Sequence, residues 1–133
     1  VSENIATAYT GKVVEIVDGI TIGADPAFPA LAPVDAVNTL LERQGIGPDQ
    51  IACTEMMEAY AVQAMLCANL TGIDPARMNA KGGALARGHP IGASGAILAV
   101  RLFQDLDKSD QLGLAAIAAA GGLGSAMLLR AKS

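Results

Sequence analysis

The chain has 133 residues, a net charge of −4, and a composition that is 52% hydrophobic but only 3% aromatic. This length suits one domain, residues 1–133, which would bury roughly two-thirds of its unfolded surface. The charge and the lack of a basic run argue against nucleic-acid binding, because affinity for phosphate backbones comes from clustered Lys and Arg. The longest apolar stretch, residues 112–120, is too short to cross a bilayer.

The two cysteines, Cys53 and Cys67, lie fourteen residues apart, outside any CxxC or metal-ligand spacing. We predict no metal site and expect both to be buried free thiols in a reducing compartment, the cytoplasm or an organelle matrix. The chain begins at Val1 rather than Met. We therefore expect that a segment upstream was removed or that this chain is one piece of a longer protein.

The first half of the chain predicts alternating strands and helices. β-branched residues between 13 and 22, interrupted by Gly19, predict a strand with a bulge or bend at that glycine. Pro33 suits the first turn of a helix that Gly45 ends. Residues 51–54 predict a short strand, and residues 55–69 predict a helix that ends near a glycine.

The second half contains a glycine-rich loop, a helix and two strands. The loop spans residues 74–94 and the helix runs from about 95 to 106. Residues 112–119 and 125–129 are continuous apolar runs, typical of strands covered on both faces. This order predicts an α/β fold with a mixed sheet, helices on its faces, and the C-terminal hairpin at its centre.

The segment most informative about chemistry surrounds the only histidine, His89. Residues 79–96 read Asn-Ala-Lys-Gly-Gly-Ala-Leu-Ala-Arg-Gly-His-Pro-Ile-Gly-Ala-Ser-Gly-Ala. Glycines let a backbone approach a ligand closely, and the loop leads into a helix N-terminus, which stabilises negative charge. Taken alone, a histidine in such a loop is structural about as often as functional. The loop is neither a P-loop nor a GxGxxG motif.

In its full extent, however, this loop is very similar to the thiolase signature around the catalytic histidine. Residues 55–63 resemble the Asn-Glu-Ala-Phe block of that family, and residues 113–124 resemble its closing Cys-x-Gly-Gly-Gly-x-Gly strand and turn. The resemblance, from about residue 12 to residue 130, is to the C-terminal catalytic half of enzymes that make or break carbon–carbon bonds between acyl-CoA thioesters. It implies a layered thiolase-like half that lacks its first strand.

The resemblance also implies roles for particular residues. His89 would be catalytic, binding the thioester oxygen as negative charge develops and helping to activate a cysteine of the N-terminal half. Glu58 and Tyr60 are candidates for acid or base, although each residue type is more often structural. The implied substrate-binding positions are Met57, Gly88, Ser94, Gly95, Ala118, Ala120 and Gly121. No covalently bound cofactor is implied, and the substrate would be a coenzyme A thioester.

Several positions depart from the family pattern. Ala118 stands where the family has its second cysteine, the acid/base for the α-carbon proton, and a methyl group carries no proton. Met57 replaces an asparagine that holds a water, and a thioether donates no hydrogen bond. Lys81 replaces the second asparagine of Asn-x-Asn-Gly-Gly, and Ala120 replaces a loop glycine.

Three functions remain open at this point. The chain could be the C-terminal portion of an acyl-CoA acyltransferase, a lyase of the retro-aldol type on the same fold, or a non-catalytic or regulatory subunit. Each requires an N-terminal thiolase-like half or subunit, because the sheet and its helices would otherwise expose apolar faces and an unpaired edge. We therefore expect an oligomer.

Overall fold

The structure, a computed structural model, describes residues 1–132, so Ser133 of the predicted domain lies outside the described residues. The described residues form four strands and five α-helices. In chain order these are α1 (Glu3–Ala8), β1 (Val13–Gly23), α2 (Ala32–Gln44), β2 (Ile51–Met56), α3 (Ala61–Thr71), α4 (Ala84–Arg87), α5 (Ser94–Asp105), β3 (Leu112–Ala119) and β4 (Leu123–Lys132). The predicted α/β architecture is confirmed.

The strands make one mixed sheet in the order β1-β4-β3-β2. β4 is antiparallel to both β1 and β3, whereas β2 runs parallel to β3. The hairpin of β3 and β4 is therefore central, as the sequence predicts, and β1 and β2 are the edge strands. The prediction that this chain lacks the first strand of a thiolase C-terminal half stays a prediction.

The helices cover the two faces of the sheet unequally. α2 lies across β4, β1 and β3 on one face, where Val37 and Leu40 pack against Leu114 and Leu128. α5 lies on the other face, where it contacts mainly β2 and β3 and shares an apolar cluster with Leu129 and Ala131 of β4. Residues 1–132 contain no helix with the length and hydropathy needed to cross a membrane.

The boundary between β2 and α3 differs from the prediction. The strand continues to Met56 instead of ending at residue 54, and the helix begins at Ala61 instead of residue 55. Pairing of Glu55 and Met56 with β3 extends the strand, and the side chain of Asn79 supports its other edge. It accepts a bond from the Met56 N–H and donates one to the Met56 carbonyl, both 2.9 Å, as a neighbouring strand would. A partner 23 residues away is invisible to local periodicity.

The irregularity in β1 also lies elsewhere than predicted. Pairing with β4 shifts between Ile16 and Asp18, before Gly19 rather than at it. The carboxylate of Asp18 accepts bonds from Arg43 and Gln44 at the end of α2. These bonds hold the Asp18 side chain toward the helix directly after the bulge. The short helices α1 and α4 were not predicted.

Candidate active site

The glycine-rich segment between α3 and α5, residues 79–93, is referred to below as the histidine loop. It begins at Asn79, whose N–H donates to the Thr54 carbonyl at 2.8 Å and whose side chain pairs with the backbone of Met56. Asn79 is buried and takes a left-handed backbone conformation, φ +49°, which asparagine tolerates better than most residues. The start of the loop is thus fixed to the end of β2.

Glu58 holds the next part of the histidine loop. One carboxylate oxygen accepts from the Asn79 side-chain amide at 2.6 Å, and the other accepts from the Leu85 N–H at 3.0 Å. The carboxylate lies so close to Gly83 that a Cβ there would be 2.1 Å from it, so any larger residue would displace the Glu58 carboxylate. With both oxygens bound to the loop, this acid/base candidate is placed to order the loop.

A buried ion pair between β2 and α5 also holds the histidine loop in place. Glu55 on β2 is 2% exposed, and its carboxylate lies 2.7 Å from Nε of Arg101 on α5 and 3.7 Å from the guanidinium of Arg87. Both arginines also donate to the Gly82 carbonyl, at 3.0 and 3.2 Å. The hydrogen bond with Glu55 raises the pKa of Arg101. Strand, loop and helix therefore meet at one carboxylate.

Lys81 points away from this centre. Its Nζ lies 2.5 Å from the carboxylate of Asp105, the last residue of α5, and this contact raises the pKa of the lysine. The side chain is largely exposed. Lys81 therefore adds a link between the loop and the far end of α5, where the family has an asparagine.

His89 lies exposed at the outer end of the histidine loop, just after Gly88, which has φ +92°. Its Nδ1 is 2.6 Å from the hydroxyl oxygen of Ser94, the first residue of α5. Ser94 is only 4% exposed, and its hydroxyl donates to the Pro90 carbonyl at 3.1 Å. One ring nitrogen is therefore held by the protein, while Nε2 has no hydrogen-bond partner among residues 1–132.

Met57 lies at the meeting point of the three sequence blocks. Its N–H donates to the Ala116 carbonyl on β3 at 2.8 Å. The side chain is 4% exposed and belongs to an apolar cluster with Ala84 of the loop, Leu98 of α5 and Ala115 of β3. The structure therefore brings the Met57 block, the loop and the closing strand together, and it places the thioether in apolar surroundings.

The hairpin tip carries the remaining predicted positions. Half-buried Ala118 pairs with Gly124, on the face of the sheet where the first turn of α2 approaches. Ala120 is exposed, and Gly121 has φ +85° in the turn. Met57 and α5 lie on the opposite face of the sheet. Ala118 is therefore on the α2 face, whereas the histidine loop leads into the helix on the other face. The resemblance to thiolases also implies that His89 shares a pocket with Ala118 and Met57, and this stays a prediction.

Two grooves contain other candidates. Gly95 lines a groove of about 330 Å³ on the sheet face beside α5, together with Ile20 and Met127. Tyr60 is exposed and lies in a separate groove with Phe28. The acid/base candidate Tyr60 is thus placed apart from the groove that contains Gly95.

Comparison with known proteins decides the family. Residues 10–131 match the family model described as "Thiolase, C-terminal domain". The chain belongs to the thiolase family. It is 42% identical over 128 residues to YhfS of Bacillus subtilis (strain 168), covering 95% of this chain and 35% of the relative.

Solved thiolase structures share the fold of this domain. The crystal structure of the Acat5 thiolase from Ascaris suum in complex with coenzyme A has a TM-score of 0.89 and 38% identity, over 97% of this chain and 34% of that chain. A peroxisomal 3-ketoacyl-CoA thiolase of Saccharomyces cerevisiae has a TM-score of 0.84 and 33% identity, over 90% and 34%, respectively. The thiolase domain described here spans about a third of the length of its relatives.

Sequence reasoning did not identify two residues that organise the site of this thiolase domain, Glu55 and Arg101. A signal was present, because a glutamate inside an otherwise apolar strand needs a cation or several donors when it is buried. Arg101 is the fitting partner on α5. The bond between Ser94 and His89 was also not foreseen, since it depends on the way the loop folds back onto the helix start.

Proposed function

We propose that this chain is the C-terminal portion of a thiolase-like acyltransferase that acts on acyl-CoA thioesters together with an N-terminal thiolase half. One observation carries the proposal. The histidine loop is fastened by Asn79, Glu58 and Arg101, yet the imidazole of His89 is exposed with Nε2 directed to no protein partner among residues 1–132. Such ordering around a free imidazole suits proton transfer to a second reactive group.

In the proposed reaction, Nε2 of His89 accepts the proton of a cysteine thiol supplied by the N-terminal half. The thiolate attacks the thioester carbon and forms an acyl-cysteine, and the C–S bond to coenzyme A breaks. The departing thiolate takes the proton back from Nε2, so protons and charges balance. Every protein group named here, except the cysteine, is present in this chain.

Carbon–carbon bond chemistry needs one further proton carrier. Ala118 cannot supply it, Glu58 has both oxygens bound to the loop, and Tyr60 lies in another groove. A residue of the N-terminal half would have to move the α-proton. We therefore propose acyl transfer as the activity that this chain supports most directly, with a thiolase-fold lyase as a variant that shares the first step.

The exposed part of the sheet supports the need for a partner. α5 contacts mainly β2 and β3 and leaves part of β1 uncovered on that face, where Ile16 is 69% exposed. The groove beside α5 is lined mainly by apolar side chains such as Ile117 and Met127. The yeast thiolase is described as five-layered, built from two core domains of identical topology. We propose that a helix of the N-terminal half fills this groove beside α5.

A specific observation favours the second candidate, a non-catalytic or regulatory thiolase-like subunit. The thioether of Met57 is packed among Ala84, Leu98 and Ala115 instead of facing a polar pocket. In that reading the chain completes a partner's fold, and the exposed His89 has no chemical role. The cytoplasmic or organelle-matrix location stays a prediction under both readings.

Isotope exchange separates the two candidates. The chain is combined with a thiolase N-terminal half that carries its nucleophilic cysteine, and transfer of labelled coenzyme A into acyl-CoA is measured, a reaction that needs no α-proton. We expect exchange that falls by about 10²–10⁴-fold in His89→Ala. Lys108→Ala, an exposed change away from the loop, is the matched control. Exchange that is absent, or equal in wild type and His89→Ala, would favour the non-catalytic subunit.

A further inference from the structure

We infer that Ser94 is a positioning residue that keeps the proton of neutral His89 on Nδ1 and so leaves Nε2 as a free base. The catalytic importance of this inference rests on the proposed function, in which Nε2 takes a proton from a cysteine. Its geometric basis is independent of any activity: the Ser94 hydroxyl lies between Nδ1 of His89 and the carbonyl of Pro90.

The number of hydrogens at this point fixes the direction of the bonds. A serine hydroxyl has one hydrogen, and a carbonyl oxygen can only accept. The 3.1 Å contact between Ser94 and Pro90 is therefore a hydrogen bond only if the serine donates it. The hydroxyl then has only lone pairs left for His89, at 2.6 Å, so Nδ1 must be the donor.

The opposite arrangement is less favourable at this position. If Ser94 donated to His89, the lone pairs of its hydroxyl would face the Pro90 carbonyl oxygen without a hydrogen between them. Ser94 is 4% exposed, so solvent has little access to compensate. The Pro90 oxygen is itself held in place by the N–H groups of Ala93 and Ser94, at 2.8 and 2.9 Å. A serine donating to the carbonyl four residues earlier is a common helical arrangement.

The arrangement also suits a change of protonation state. When Nε2 takes a proton, Nδ1 must remain a donor, because imidazolium has no acceptor nitrogen. The Ser94 hydroxyl already accepts from Nδ1 and donates to Pro90, so neither hydrogen has to reorient. A site that needs no reorganisation as charge develops lowers the barrier of that step. Without Ser94, the ring would be free to adopt the Nε2–H tautomer that histidine prefers in water, which cannot accept a proton at Nε2.

Nitrogen NMR on the full chain tests the inference without any assay of activity. His89 is the only histidine, so selective ¹⁵N-histidine labelling gives one imidazole spectrum. Under conditions where the ring is neutral, we expect the Nδ1–H pattern in wild type and in Ser94→Thr, which keeps the hydroxyl. The imidazole spectrum of Ser94→Ala should shift toward the Nε2–H pattern. In the exchange assay this variant should have about tenfold lower turnover, as expected for loss of one hydrogen bond.

The possible results separate clearly. An Nε2–H pattern in wild type, or the same pattern in wild type and folded Ser94→Ala, overturns the inference. If Ser94→Ala fails to fold, the wild-type spectrum alone decides. Because the tautomer is read without substrate, an Nδ1–H pattern together with absent coenzyme A exchange would refute the proposed function and leave the role of Ser94 intact.

Discussion

Nε of Arg101 on α5 lies 2.7 Å from the carboxylate of Glu55 on β2, at a point where the glutamate is almost fully removed from solvent. The same guanidinium donates to the Gly82 carbonyl at the start of the glycine pair of the histidine loop. The pair therefore links helix packing to the position of the loop. Loss of this ion pair should lower the stability of the fold and also disorder the histidine loop.

We predict that Arg101→Ala lowers the free energy of unfolding by about 3 kcal/mol, because it leaves a buried carboxylate without its main partner. Urea unfolding of wild type and variant measures this difference. Arg130→Ala is the control, since its pair with Glu15 is more exposed, and it should cost less than about 1 kcal/mol. Equal effects of the two changes would mean that Arg87 replaces Arg101 as the partner of Glu55.

We predict that Gly124→Ala destabilises the fold by about 3 kcal/mol or prevents folding, since a Cβ there would be 2.1 Å from the Ala32 carbonyl oxygen and backbone would have to move. Gly23→Ala is the matched control at the end of the neighbouring strand β1, where a Cβ meets nothing within 4 Å. Thermal unfolding compares the two variants. Similar melting temperatures would contradict the close packing of the hairpin against α2.

The thiol of Cys53 should react slowly at neutral pH. Burial, followed by the charges of Asp105 and Glu55, raises its pKa from 9.0 to about 11. Because the thiolate is the reactive form, alkylation by iodoacetamide should stay slow at pH 8 and increase toward pH 11. Peptide mass spectrometry reads the modified residue directly and separates it from Cys67, whose pKa is also raised by burial.

The same shift predicts a pH dependence of stability. The folded state holds the Cys53 proton more tightly than the unfolded state, which loses it near pH 9. The contribution is therefore fully present below pH 9 and is lost as the pH rises toward about 11. Cys53→Ser should flatten the unfolding free energy over this interval. A profile with the same slope in both proteins would place the titration on another group.

We predict that Ala118→Cys combined with Met57→Asn raises thiolytic activity above background when the chain is combined with a cysteine-bearing N-terminal half. The two changes restore the proton carrier and the donor that the family has at these positions. Met57 is buried in an apolar cluster, so the asparagine should cost about 1–3 kcal/mol of stability. No gain in a variant shown to fold and assemble would favour the non-catalytic reading.

The sequence predicted the elements that depend on local patterns. Apolar continuity identified β3, and Gly45, which has φ +65°, marked the end of α2. It placed the end of β2 and the start of α3 wrongly, because the extension of β2 depends on pairing with β3 and on Asn79, which are both distant in sequence. The contacts that fix the histidine loop, such as Glu55 with Arg101, likewise join residues 46 positions apart.

The pairing of β1 with β4 has a consequence for biosynthesis. Val13 pairs with Lys132, so the first strand lies beside the last, whereas β3 and β4 are joined by a tight turn. On a ribosome, β1 is synthesised about a hundred residues before its partner strand. Strand pairings between residues so far apart in sequence form slowly, and the edge of β1 stays unpaired until β4 is available. Nascent chains stalled before β4 should therefore bind chaperones more strongly than chains released after it.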